Sequence, residues 1–532
     1  MTVPAITTRH LGFAPAGRDA VFSDIDVSFS VNRHALVGRN GSGKSLLARV
    51  LAGQLAPTHG SVTRHVELAY LPQRWAPDTG SIAAALGIDH KLHALQRIEA
   101  GSVDPADFQT LGDDWDMRER VRRWLDDAGL PDDPARHWAS LSGGERVRLR
   151  LVQMFAHAHH FLILDEPGNH LDHRGRHWLR ESLAAHAGGY LLISHDRQLL
   201  SDVESIDELS PLGLRRYGGN YASYAAQRDT EQHAAERQLE QARREQKALD
   251  RRQQEDRQRL AQRQQKASRE RANANLPTIL LDRQKQRSED TGARLLTAQR
   301  AQQARQREQL SQARERVDMH RAQRFDLGHQ PATHASLQLE GAIPSHGHDQ
   351  PIDLYLAPGE RLHLGGDNGS GKSSLLAAIA GTQPLRAGRL RHGERRLLID
   401  QHYSLLRDEH SALDNLRALS PGHAPTRYRE FLAGIGLRAE RADLPAGQLS
   451  GGERVKLALL ALDSAIEPYD LLLLDEPDSH LDLDSRQLLE QALTTYRGTL
   501  VLVSHDADLV AHARVDQALH LHKPLAPLTR GE

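Results

Sequence analysis

Apolar residues in this chain bunch into short unbroken runs rather than alternating. "FLILDE" (from Phe161) and "LLLLDE" (from Leu471) are two such runs, each ending on acid. "YLLISH" and "LVLVSH" are two more, ending at His195 and His505. Continuous runs of this length predict strands buried on both faces of a parallel sheet. "HALVG" and "LHLGG" add a strand before each of two glycine-rich loops, and "LLARVLAG" and "SLLAAIAG" follow as helical stretches. The pattern predicts an α/β fold. From about Tyr221 to Phe325 it changes to Gln, Arg, Glu and Ala, with Pro277 and Gly292 the exceptions to an otherwise helix-favouring stretch. Leu239, Leu249, Leu260, Leu296, Leu310 and Val317 form a sparse apolar seam. This predicts two antiparallel helices meeting near Ala272–Thr278, a supple coiled-coil hairpin reaching ~75 Å.

The same elements occur twice. "GRNGSGKS" (Gly38–Ser45) recurs as "GDNGSGKS" (Gly366–Ser373), "LSGGERVRLRL" (from Leu141) as "LSGGERVKLAL" (from Leu449), and "LILDEPGNHLD" as "LLLDEPDSHLD". Lys44 precedes Gln73 by the same interval that separates Lys372 from Gln401, and Glu166–His195 matches Glu476–His505. A tandem duplication is the economical explanation. The first copy carries about 20 further residues between Gln73 and Leu141, around "IEAGSVDPADFQTLGDDWD". These read as a surface insertion, since surface loops accept length cheaply.

Each motif suits phosphate chemistry. In Gly38, Arg39, Asn40, Gly41, Ser42, Gly43, Lys44 and Ser45, glycines let backbone amides approach phosphates. Lys44 supplies charge and Ser45 a hydroxyl for Mg2+. Gly366, Asp367, Asn368, Gly369, Ser370, Gly371, Lys372 and Ser373 repeat the arrangement. Asp165 and Asp475 end their strands where a metal ligand is needed, and Glu166 and Glu476 stand where a carboxylate positions or deprotonates attacking water. His195 and His505 arrive at the carboxyl ends of strands, where open α/β sheets gather ligand-binding groups.

Taken together, the P-loops, glutamines, LSGGE, DEP and histidines resemble the ATP-binding cassette superfamily, and the pair on one chain resembles its family F. That resemblance covers nearly the whole chain. It departs from the family's DEPTNHLD hallmark at Gly168, Asp478 and Ser479, positions that flank the chemistry. The resemblance implies two P-loop domains, 1–217 and 329–532, joined by a basic helical-hairpin linker at 218–328. It implies ATP and Mg2+ as cofactors and two composite sites closed head-to-tail within a monomer. Site one would join Lys44, Gln73, Asp165, Glu166 and His195 to Ser450, Gly451 and Gly452. Site two would join Lys372, Gln401, Asp475, Glu476 and His505 to Ser142, Gly143 and Gly144. Phe13 holds the position where the family stacks an aromatic on adenine.

Charge sharpens the picture. The chain has 68 Lys+Arg against 70 Asp+Glu, but residues 221–330 hold 24 basic and 16 acidic ones. Around the tip, Arg263, Lys266, Arg269, Arg271, Arg283, Lys285 and Arg287 flank an Asn/Pro turn followed by Ile279, Leu280 and Leu281. Basic modules meet nucleic acid or anionic surfaces. In family F the linker reaches from the ribosome's tRNA exit site toward the peptidyl-transferase region, so the resemblance implies a ribosome-acting ATPase with rRNA and tRNA as partners. An antibiotic-resistance ribosome protector is an alternative. A DNA-transaction ATPase is disfavoured, since the chain stops soon after "SHDADLVAHARVDQALHLHKP". An importer-energising double ATPase would lack the basic hairpin and carry Gln at Glu145 and Glu453. There is no cysteine, hence no disulfide and no thiolate site. Neither a signal peptide nor a membrane helix is expected, which predicts a cytoplasmic protein without a membrane domain. "HAHH" (His157–His160) reads as a solvated helix face, not a metal site.

Overall fold

The computed structural model describes residues 3–17, 19–73, 80–169, 171–272, 304, 305, 308, 310, 325, 327, 336–367, 369–467, 469–479 and 481–522. Tertiary contacts divide the chain into two units, Met1–Tyr221 with Gln323–Glu532, and Ala222–Ala322.

The first unit holds two α/β cassettes of the same plan. In the first, strands run in the spatial order Gly213–Gly218, Ser205–Ser210, Arg33–Val37, Tyr190–Ile193, Phe161–Asp165, Leu68–Leu71. All neighbours are parallel except the Gly213–Gly218 hairpin partner. Every residue of Phe161–Asp165 and of Tyr190–Ile193 is buried. That is what an unbroken apolar run between covered faces requires. The second cassette repeats the order as Arg396–Ile399, Leu471–Asp475, Thr499–Val503, Arg361–Gly366, Gln517–Leu521, parallel throughout. Each cassette adds a small antiparallel sheet, centred on Pro4–Phe13 in one copy and Leu337–Ile343 in the other.

The insertion in the first copy is folded rather than a loop. Helices Asp89–Glu99 and Pro105–Leu111 pack as a pair, with the buried Asp107 carboxylate accepting from Arg97 and, at 2.7 Å, from the Ser102 hydroxyl. Val103, Phe108 and Trp115 of this region are exposed. His157–His159 lie exposed in the turn after the Gly143–Phe155 helix, not on a helix face as their sequence suggests. His160 Nε2 sits 2.8 Å from Glu67.

The helix Tyr221–Ala272 spans 52 residues, about 78 Å at 1.5 Å per residue. Its exposed positions pair internally at i,i+4, as in Arg251–Glu255 at 3.1 Å. Within the second unit Ala235 and Leu239 are buried against Leu310, so the seam residues Leu239 and Leu310 do meet. Leu296, Val317, the tip with Pro277 and Arg283, Lys285 and Arg287 lie outside the described residues, as do Asn368 and the side chains of Leu260, Arg263, Lys266, Arg269 and Arg271. Among the described residues no helix is long and apolar enough to cross a membrane.

Candidate functional site

Both glycine loops run from a buried central strand into a helix, Lys44–Leu51 or Lys372–Ala380. Their first glycines are required by contact as well as conformation. Gly38 has φ 148 and Gly366 φ 141, and a Cβ on either would lie 2.4 Å from a carbonyl oxygen, that of Leu209 or Leu521. Any side chain there would push the loop off the sheet. Lys44 Nζ donates to the carbonyls of Gly38 (2.7 Å) and Arg39 (3.0 Å), and Lys372 Nζ to those of Gly366 (2.6 Å) and Asp367 (3.1 Å). Burial lowers the pKa of both lysines, with neighbouring carboxylates opposing.

A cavity of about 730 Å3 gathers the first site. Asn40, Gly41, Gly43, Lys44, Ser45, Gln73, Asp165, Glu166 and His195 line it, and so do Ser450 and Gly451 of the other copy. Asp165 and Glu166 come from the end of the Phe161–Asp165 strand, and His195 from just beyond Tyr190–Ile193. Glu166 takes φ 53 and Glu476 φ 47, a left-handed conformation that costs a non-glycine residue on the order of 1–3 kcal/mol. Both histidines stand 3.6 Å from the paired glutamate through Nε2. Burial pushes Glu166 up to about 8, against the pull of Lys44, and holds His195 well below its usual range. Burial likewise lowers His505. The His195 ring is therefore neutral, with both nitrogens buried and lacking a hydrogen-bond partner among the described residues. Both carboxylate oxygens of Asp165 are in the same position. Burial raises the pKa of Asp165, with Ser45 and Lys44 opposing, and that of Asp475, with Ser373 first among the opposing groups. A buried carboxylate with two unsatisfied oxygens beside a serine hydroxyl has the donor chemistry of a hard divalent cation site.

The signatures open helices through capping boxes. Ser142 accepts from the Glu145 amide and Ser450 from the Glu453 amide, and each serine amide donates in return to the glutamate carboxylate. Ser450 and Gly451 are half-buried and Gly452 is buried, whereas Ser142 and Gly143 are exposed. Asp482 joins the copies: its Oδ1 caps its own helix at Ser485 N (2.9 Å) and its Oδ2 accepts from Asn40 N (2.9 Å). The sequence reading missed Asp482, and also Asn169, which lines the cavity. The recurrence of "HLD" at Asp172 and Asp482 was the available signal. Gly369, Ser370, Gly371 and Ser373 form the second loop, and Gln401 follows the Arg396–Ile399 strand. Phe13 is half-buried with its ring 6.1 Å from Phe22, which lies beside Gly43.

A family model described as "ABC transporter" matches residues 24–169 and 350–479, more than half the chain. The chain belongs to the ATP-binding cassette family. Its relatives put it in branch F. It is 26% identical over 523 residues to "ABC transporter F family member 5" of Arabidopsis thaliana, covering 90% of this chain and 70% of that one. It is 31% identical over 527 residues to the tylosin resistance ATP-binding protein TlrC of Streptomyces fradiae, covering 91% and 92%. It is 31% identical over 517 residues to the probable ATP-binding protein YheS of Escherichia coli K12, covering 92% and 75%. Among solved structures, the archaeal ribosome recycling factor bound to a ribosomal stalk protein superposes with TM-score 0.55 at 16% identity, covering 97% of this chain and 87% of that one. That likeness concerns the fold. This ABC-F chain is an ATPase whose two cassettes bind ATP.

Proposed function

We propose that this ABC-F ATPase works on the ribosome, closing its cassettes over ATP and using its linker to influence tRNA or the peptidyl-transferase region. The observation that carries the reading is the Tyr221–Ala272 helix. A helix of 52 residues rich in Arg, Gln and Glu follows the first cassette along the chain, and none of the described helices can cross a membrane. A motor of this kind needs a partner that the helix reaches, and a basic linker suits RNA. The resistance function in the name of TlrC and the recycling factor among the structural neighbours support the same reading.

In this proposal the chain divides into 1–217, 218–328 and 329–532, works as a cytoplasmic monomer, and builds two composite sites. Lys44 holds β- and γ-phosphates in site one, Glu166 orients or deprotonates the attacking water, and His195 stabilises the γ-phosphate end. The amides at Ser450–Gly452 face the same phosphate from the opposite copy. Lys372, Glu476, His505 and Ser142–Gly144 take these roles in site two. Ser45 with Asp165, and Ser373 with Asp475, would hold Mg2+, which neutralises charge on the phosphates.

Sedimentation with ribosomes tests the proposal. The full chain carrying Glu166→Gln and Glu476→Gln should pellet with ribosomes in ATP and stay in the supernatant without it. Equal behaviour with and without ATP would remove the ribosome from the reading. The resistance reading rests on the match to TlrC across 92% of that protein. Expression in a tylosin-sensitive host should then raise the inhibitory concentration, and an unchanged value discards it.

A further inference from the structure

The contacts between cassettes show a pattern of charge that the duplicated motifs do not. Where the first copy's loop meets the second copy, Arg39 Nε lies 3.3 Å from Asp484. Beyond His195, the Arg197 guanidinium grips Glu490 with two bonds, 2.7 and 3.1 Å, and lies 3.4 Å from Asp508. Both members of the Arg197–Glu490 pair are largely buried. The opposite crossing uses the duplicated positions, and there the charges are reversed at three of the four and lost at the fourth. Asp367 stands for Arg39, Arg174 for Asp484, Arg180 for Glu490 and Ala507 for Arg197. Asp367 and Arg174, from opposite copies, line one cavity of about 750 Å3. Arg180 is held by Asp202 of its own copy.

We propose that these residues form a charge code on the cassette faces: the first copy is basic and the second acidic, so each accepts only the other. Pairing two first copies would set Arg39 against Arg174 and Arg197 against Arg180. Pairing two second copies would set Asp367 against Asp484 and leave Glu490 facing Ala507. Like charges desolvated together oppose binding far more than a rim pair favours it. The code therefore directs closure to unlike cassettes and against a second copy of the chain joined like to like. It concerns the cassettes alone and does not depend on the ribosome reading.

Charge swaps on the full chain test it. The chain lacks cysteine, so a dye pair on cysteines introduced at the exposed Leu212 and Tyr355 reports closure on addition of a non-hydrolysable ATP analogue. Arg197→Glu and Glu490→Arg, each alone, should raise the analogue concentration for half-maximal closure at least about tenfold. The two together should return it to within about threefold of the parent. At the other crossing, Asp367→Arg should impair closure and added Arg174→Asp should restore it. Unfolding midpoints separate lost closure from lost folding. Singles that close like the parent overturn the code, and so do folded doubles no better than their singles.

Discussion

Replacing Glu166 by glutamine should stabilise the nucleotide-free protein, and by an amount that depends on pH. An ordinary glutamate loses its proton near 4.5, whereas burial pushes Glu166 up to about 8. Between those values the unfolded chain is ionised there and the folded chain holds a proton. Folding stability from this site is therefore complete below pH 4.5 and declines as pH rises toward 8. At about 1.4 kcal/mol per pH interval, the whole span amounts to roughly 5 kcal/mol. The pull of Lys44 on the ionised carboxylate is already contained in that value. Glutamine keeps the shape and never ionises. Thermal unfolding of parent and Glu166→Gln should coincide near pH 5 and separate by roughly 5–15 °C at pH 8, with the variant higher. A gap that is the same at both pH values, or a variant less stable at pH 8, would refute burial as the source of the shift.

Three further outcomes follow from the same geometry. Glu166→Gln with Glu476→Gln should slow steady-state ATP hydrolysis by about 10²–10⁴ while leaving ATP binding intact; near-parental turnover would take the water-activating role from both. Ser450→Arg should abolish single-turnover hydrolysis in a Glu476→Gln background, because Ser450 lines the cavity of Lys44 and Glu166; unchanged hydrolysis would mean the cavity is not the working site. Arg216→Ala should cost about 3–5 kcal/mol of stability by stripping the fully buried Asp207 of its two bonds, 2.9 and 3.1 Å. Adding Asp207→Leu should recover most of it in denaturant melts, since the second copy carries Leu519 at that register.

The parallel strands were legible because each is a closed apolar run, and both glycine loops because their backbone demands leave few residue choices. Glu166 was legible as chemistry, yet its left-handed backbone was not, since nothing in "DEP" announces a positive φ. The insertion hid its helices because its buried groups are few and not all apolar: Ala94, Leu95 and Leu111 are buried, but so is Asp107, held by Arg97 and Ser102, and a carboxylate in sequence reads as surface. Arg197 and Glu490 were illegible for a different reason. Their partnership depends on which copy faces which, and only the assembled cassettes bring positions so distant in the chain within 2.7 Å.

Duplication and divergence have acted on different atoms. The strain at Glu166 is repeated at Glu476, and the last loop glycine has φ 96 in both copies. A cost of this size, kept twice, implies a carboxylate direction that the reaction requires. Enclosure has not been kept equal. The side chain of Glu166 is 14% exposed and that of Glu476 29%, while His195 and His505 are 7% and 18%. Ser450 is half-buried where Ser142 is exposed. Water and dielectric set how strongly a carboxylate, a lysine and a phosphate act on one another. Two sites with the same groups in different enclosure therefore need not turn over alike, and the difference originates in the faces that the copies present to each other rather than in the residues that meet ATP.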